Sequence, residues 1–188
     1  MQFGQTTTTY DAQGEVTSRN GNIVPTRQQL KAAVDKLQGS VDLPAPMFAA
    51  KRVDGLRLYQ HALLGNHVTP PMVHSTVRLK LLHYAYPFAW FKVKCTKGTY
   101  VRSIVHALGK FCLSLNAVPI WCLGSGLGCG AMLTQLVRTG SGIFHIWEAQ
   151  PIQHLFDFEG SVSPSQKSAQ KPPILKGVQQ SFQFWDTM

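Results

Sequence analysis

Acidic side chains are scarce in this chain. Nine Asp plus Glu stand against 18 Lys plus Arg over 188 residues, a formal net charge of +9 at pH 7. Such a surplus disfavours cationic partners and favours polyanions, nucleic acid or an anionic membrane among them. Cysteine is sparse as well. Cys95, Cys112, Cys122 and Cys129 form no CxxC pair, and the seven histidines include no HExxH. The spacings of the common zinc sites are therefore missing, no metal is expected, and the thiols read as buried, free groups in a reducing compartment. An apolar leader is also lacking: Met1 to Tyr10 is polar and Thr-rich, so no signal peptide is expected at this start. Charge itself is absent between Lys110 and Arg138. That span is long enough to cross a bilayer, but Asn116, Pro119 and the run LGSGLGCG interrupt it. A buried or ill-fitting loop is the favoured reading, not a membrane segment.

What is present suffices for one domain with its own core. "TRQQLKAAVDKL" reads as a helix, with Thr26 as its cap and Gln29 in capping-box spacing. "LPAPMFAAKRVDG" is turn-rich and then extended, and "LRLYQHALLG" is helical with Gly65 at its end. "TVRLKLL" and "FAWFKVKC" alternate in polarity as half-buried strands do. In "YVRSIVHALG" the apolar Val101, Ile104, Val105 and Leu108 recur at helical spacing, while Arg102 and His106 share another face, free to leave the core. "AMLTQLVRT" is expected as a further short helix and "GIFHIW" as a strand. Elements in no strict βαβ order predict an α+β domain. From about Glu159 the composition turns to Ser, Pro, Gln and Lys, which reads as a disordered or linker-like tail.

One junction gathers chemistry. In "KCTKGTYVRS" a strand gives way to a helix, and Lys94, Lys97, Tyr100 and Arg102 cluster around Gly98. Lysine and arginine neutralise phosphates, and a tyrosine stacks on an unpaired base. The plain alternative is a solvated strand end with a core tyrosine, and the junction by itself favours that alternative.

Three further stretches change the balance. "FGQTTTTYDAQGEV", "PMFAAKRVDGLRLYQHALLG", "KCTKGTYVRSIVHALGK" and "LGCGAMLTQLVRTGSGIF" occur in this order. Together they resemble the tRNA pseudouridine-55 synthases, the TruB family, over most of residues 3 to 147. The resemblance implies a mixed central sheet flanked by helices and loops. It implies an isomerase that converts a uridine of the tRNA T-loop to pseudouridine without metal or cofactor. The base is flipped into a pocket, an aspartate attacks, the glycosidic bond breaks, and the uracil turns and rejoins through carbon. Carried over by motif, Tyr100 packs against the flipped base and Arg102 pairs with the catalytic aspartate. Leu136 lines the uracil pocket. Asp11 is the second acid of a "GxxTDTxDxxG"-like element, and Arg52 stands where the family has lysine before "VDG". Lys97 joins them as a phosphate contact. Each has a plainer alternative: Leu136 as a core residue, Asp11 as a turn former, Arg52 as a solvated charge.

The departures matter as much. No aspartate of this sequence stands in the "GTLDPxAxGVL"-like context that holds the family's nucleophile. The expectation is an N-terminally incomplete chain, with no catalytic nucleophile of its own and inactive alone. Arg102 is then expected to lack its partner and swing to solvent. Residues 111–126, "FCLSLNAVPIWCLGSG", form an insert the family lacks, read as a lid or contact surface or, in preference, as translated non-coding sequence or a sequencing error. Thr8 and Ala107 stand where aspartate is frequent, and Leu63 where arginine is. The expected organisation is a partial catalytic domain at 1–152 and an irregular tail at 153–188. The expected partner is tRNA, bound by a cytoplasmic monomer, with an organelle as the alternative location. The rival reading is a non-catalytic, basic RNA-binding module.

Overall fold

The computed structural model describes residues 1–111 and 128–149. Residues 112–127 and 150–188, and so the insert at 111–126 beyond Phe111 and the whole tail at 153–188, lie outside the described residues. The chain divides into two compact units, Met1–Leu136 and Val137–Met188.

In the first unit the elements run β1 (Gln2–Phe3), β2 (Gln5–Thr7), β3 (Val16–Arg19), α1 (Arg27–Lys36), β4 (Gly39–Pro44), β5 (Arg52–Val53), β6 (Leu56–Arg57), α2 (Leu58–Leu63), β7 (Met72–Ala85), β8 (Phe88–Cys95), α3 (Val101–Phe111) and β9 (Ala131–Met132). A five-stranded sheet has the order β4-β7-β8-β1-β9. Its pairings are antiparallel, and a parallel bridge joins Asp11 to Leu133. The expected α+β class, a central sheet with helices and loops, is what is found.

Local chemistry explains most boundaries. The Thr26 side chain accepts from the Gln29 backbone N–H, and the Gln29 side chain accepts from the Thr26 N–H, so α1 opens on the expected capping box. Polar and apolar residues alternate through β7, which places Ser75, Val77 and Leu79 inside. Leu30, Val34 and Leu37 of α1, Ile104 and Leu108 of α3, and Val77, Leu79 and Ala89 of the sheet form one core. Asp54 and Gly55 both take positive φ, as a two-residue hairpin loop between β5 and β6 requires.

Two expectations are overturned. Cys95, at the end of β8, is exposed rather than buried. "AMLTQLVRT" is not a helix. Ala131 and Met132 pair with Gln2 and Phe3 as the edge strand β9, and residues 134–139 take no regular form. Ala131 is fully buried and Met132 nearly so. The unpaired edge of β1 and the core beneath it claim these residues, and tertiary demand overrides a helical spacing.

The second unit, as far as it is described, holds the hairpin β10 (Gly140–Ser141) and β11 (Phe144–His145), then a single 3-10 turn at Ile146–Glu148. "GIFHIW" is thus a strand over Phe144–His145 and a tight turn beyond. No helix among the described residues is long and apolar enough to cross a membrane.

Candidate functional site

The centre of the site is a charged pair built from distant parts of the first unit. Arg102 lies in the first turn of α3. Ser103 Oγ donates to the Pro44 carbonyl at 2.7 Å, which fastens that turn to the end of β4. Asp11 lies between β2 and β3, in a loop stitched to itself. Thr7 Oγ1 donates to the Asp11 carbonyl at 2.6 Å, Thr9 Oγ1 donates to Asp11 Oδ1 at 2.6 Å, and the Gln13 N–H donates to the same oxygen at 3.1 Å. The loop is also threaded onto the continuation of β9: Leu133 N–H donates to the Tyr10 carbonyl and Ala12 N–H to the Leu133 carbonyl.

The other carboxylate oxygen, Asp11 Oδ2, accepts from Arg102 Nη1 at 3.2 Å. The same Nη1 donates to the Thr9 carbonyl at 3.1 Å, and Nη2 donates to the Phe48 carbonyl at 2.9 Å. Both side chains are about three-quarters buried, with relative exposures of 25% and 23%. Arg102 therefore does not swing to solvent. Asp11 neutralises it, and two backbone carbonyls satisfy donors that would otherwise be costly to bury. These bonds take three of the five guanidinium N–H groups. Among the described residues, Nε–H and the second Nη2–H remain for a further acceptor. Nε–H and Nη2 lie along one edge of the guanidinium, an edge that can grip a carboxylate with two parallel hydrogen bonds.

A ring pair seals one side. Tyr10, at φ +64°, stacks on His106 with centroids 3.9 Å apart and planes 12° from parallel. His106 is one helical turn beyond Arg102. It was expected to leave the core with Arg102; instead its Nδ1 is buried, with no hydrogen-bond partner among the described residues. Burial, with Lys110 adding to it, lowers the imidazole pKa to about 4, and burial raises that of Tyr10. The imidazole is neutral under ordinary conditions and lies flat against the Tyr10 ring.

The other expected residues are placed as follows. Gly98, at φ +86°, turns the chain out of β8, and the Tyr100 carbonyl accepts from the first free N–H groups of α3. The Tyr100 ring packs half-buried against the small cluster of Ala45, Ala49 and Leu58. Leu136 follows the Leu133 bridge by three residues and is 55% exposed, so it is neither helical nor a core residue. Lys97 and Arg52 are exposed. Arg52 sits opposite Arg57 on the β5–β6 hairpin. Hydrogen bonds gather Asp11 and Arg102; they do not draw in Lys97 or Arg52. The sequence reading missed Thr9, the Phe48 carbonyl and the Tyr10–His106 stack. Backbone acceptors leave no mark on a sequence, and rings 96 positions apart share none. No three His, Cys, Asp or Glu side chains gather as a metal ion would need among the described residues.

With this geometry in view, the comparisons are direct. Residues 1–101 match the TruB family pseudouridylate synthase N-terminal domain. The tRNA pseudouridine synthase B of Protochlamydia amoebophila is 40% identical over 142 residues, 76% of this chain and 48% of that protein. The protein of the same name from Chlamydia trachomatis serovar L2 is 37% identical over 178 residues, 92% of this chain and 67% of that protein. That from Caldicellulosiruptor saccharolyticus is 34% identical over 165 residues, 87% of this chain and 51% of that protein. The chain belongs to the TruB family of pseudouridine synthases. It spans between about half and two thirds of the length of these curated relatives.

Proposed function

We propose that this chain carries the arginine half of a uridine-isomerising site that acts on the T-loop of tRNA at position 55. The observation that carries the reading is the Nε–Nη2 edge of Arg102. Three hydrogen bonds hold the guanidinium in place, and the remaining edge suits a second carboxylate. In the resemblance that carboxylate is the nucleophile. No aspartate of these 188 residues stands in its Gly-Thr-Leu context, so a segment bearing it must be supplied for turnover. Arg102 then orients the carboxylate and keeps it ionised, as a neighbouring fixed cation does. Tyr100, half-buried just before α3, offers a ring to the flipped uracil. Leu136 offers an exposed apolar side chain on a segment that leaves from beside Asp11. Lys97 and Arg52 contact phosphates. No step calls for a metal or a cofactor. A tRNA substrate suits a cytoplasmic monomer, with an organelle as the alternative location.

The test is pseudouridine formation in a T-stem-loop RNA. The 188-residue chain alone is expected to give none, and the chain fused behind a relative's Gly-Thr-Leu-Asp segment is expected to turn over. Turnover by the unfused chain would show that the nucleophile has been wrongly assigned. The basic surplus favours one second reading, a non-catalytic RNA-binding module. In that case the fused chain binds the stem-loop in a salt-dependent way and still makes no pseudouridine.

A further inference from the structure

The edge strand β4 and its neighbour β7 carry a chain of polar side chains on the face of the sheet opposite the core. Their antiparallel register sets Asp42 directly across from His74 and Ser40 across from Thr76. Alternation sends Val41, Leu43, Ser75 and Val77 inward, where all four are buried. It leaves Ser40, Asp42, His74 and Arg78 exposed. Ser40 and Asp42 stand two residues apart on one side of one strand, so a single ring on the next strand reaches both. His74 Nδ1 lies 2.9 Å from Asp42 Oδ1, and His74 Nε2 lies 2.9 Å from Ser40 Oγ.

The chemistry of the three groups sets the direction of both bonds. An ionised carboxylate only accepts, so Nδ1–H donates to Asp42. The second nitrogen of a neutral imidazole then offers a lone pair, so Ser40 Oγ–H donates to Nε2. That is the order of a nucleophile, a general base and an orienting carboxylate. Arg78 stands on the other side of Ser40 from His74, diagonally across the ladder. A diagonal neighbour is within reach of a long side chain. A cross-strand ion pair that only fastened the edge strand would account for Asp42 and His74, but it needs no hydroxyl on the second ring nitrogen.

We propose that Ser40 is a nucleophile served by His74 as general base and Asp42 as positioning residue, and that its substrates are small activated esters such as aryl acetates. Ser40 Oγ adds to the ester carbonyl carbon while its proton passes to His74 Nε2. The negative charge that develops on the carbonyl oxygen faces Arg78. The bond from that carbon to the aryl oxygen breaks, and the departing phenolate takes the proton from Nε2. Water then adds to the acyl carbon and gives a proton to Nε2. The bond to Ser40 Oγ breaks, Oγ recovers the proton, and a carboxylic acid leaves. The side chains of His74 and Asp42 are 70% and 60% exposed. Water therefore competes for both bonds, and turnover is slow beside that of a buried, water-excluded triad. An open sheet face also selects poorly among acyl groups, which is why the leaving group must be a good one. The site shares no residue with the Asp11–Arg102 pair and does not depend on uridine chemistry.

The experiment exposes the full chain to p-nitrophenyl acetate at neutral pH, quenches with acid at intervals and maps acetyl groups after tryptic digestion. Cleavage after Lys36 and Lys51 releases residues 37–51, in which Ser40 is the one hydroxyl. That peptide should gain a hydroxylamine-labile acetyl group, as an ester does and an amide does not. His74→Gln should slow its acetylation by at least about tenfold, the loss of a general base. Asp42→Asn should slow it as well, and Arg78→Gln severalfold. The control His83→Gln removes another exposed imidazole of the same sheet and should change nothing. Melting temperatures of these variants should match that of the unsubstituted chain, because every substituted side chain is exposed. Nitrogen NMR should show His74 as the Nδ1–H tautomer, a preference lost in Asp42→Asn. Equal acetylation of residues 37–51 in His74→Gln would overturn the proposal. So would acetyl groups confined to lysine amines and Cys95, or an Nε2–H tautomer at His74 in the unsubstituted chain. Failure of the fused chain to make pseudouridine would leave these results standing.

Discussion

Arg102 Nη1 and Asp11 Oδ2 lie 3.2 Å apart across 91 positions of sequence, and both side chains are mostly buried. The pair joins the β2–β3 loop to the head of α3. Removing one member leaves the other charge with part of its burial cost uncompensated. Arg102→Ala also strands the Thr9 and Phe48 carbonyls. Chemical denaturation should show a loss of about 2–3 kcal/mol for Arg102→Ala. Asp11→Asn, which keeps the shape and the Thr9 and Gln13 contacts, should cost about 1 kcal/mol. The double variant should lose less than the sum, with a coupling of about 1 kcal/mol. Strict additivity would mean the pair does not interact in solution.

The Tyr10–His106 stack predicts a pH dependence of stability. His106 is held at about 4 by burial first and Lys110 second, against an ordinary value of 6.5. Between these values the unfolded chain binds a proton that the folded chain refuses. The stabilisation is therefore complete above about pH 6.5 and is lost as pH falls toward 4, by roughly 3 kcal/mol at most. His106→Phe keeps a flat ring under Tyr10 and removes the titration. Its denaturation midpoint should fall less between pH 6.5 and 4 than that of the unsubstituted chain. Identical acid limbs would place His106 in solvent.

Gly109 gives a steric prediction. A Cβ there would lie 2.4 Å from the Ala131 backbone nitrogen and 2.6 Å from the Gly130 carbonyl carbon. α3 rests directly on the strand β9, and neither backbone can yield cheaply. Gly109→Ala should destabilise by about 2 kcal/mol despite its better helix propensity. A stabilised variant, read by thermal melting, would show that α3 and β9 are not in contact.

Tyr100 separates two roles. Its ring packs against Ala45, Ala49 and Leu58, so Tyr100→Ala should lower stability as well as binding of a T-stem-loop RNA. Tyr100→Phe keeps the ring and its packing. It should keep both stability and binding within about threefold, since a π-face stacks without the hydroxyl. A large binding loss in Tyr100→Phe would move the role from ring to hydroxyl.

The elements set by local chemistry were legible in the sequence. The capping box of Thr26 and Gln29 opens α1, strict alternation marks β7, and the apolar stripe of α3 places Arg102 off the core face. The motifs around Tyr100 and Arg102 pointed to the family that the comparisons show. What was illegible depended on distant partners. Ala131 and Met132 become a strand because β1 needs a neighbour, which no window around them reveals. Arg102 was expected to be stranded because its family partner is missing from these residues. Asp11, read as a motif residue or turn former, turns out to hold it through a contact that only the folded chain creates. His106 looked free because its helical face is polar, and the plate that covers it, Tyr10, comes from another element.

The central claim is that Arg102 presents its remaining N–H edge to the nucleophilic carboxylate. The most direct measurement is single-turnover pseudouridine formation by the Gly-Thr-Leu-Asp-fused chain carrying Arg102→Lys, beside the same fusion with arginine. Lysine keeps the charge and loses the planar edge. The account predicts a rate lower by on the order of 100-fold, with T-stem-loop binding nearly unchanged. An equal rate for lysine and arginine would contradict it.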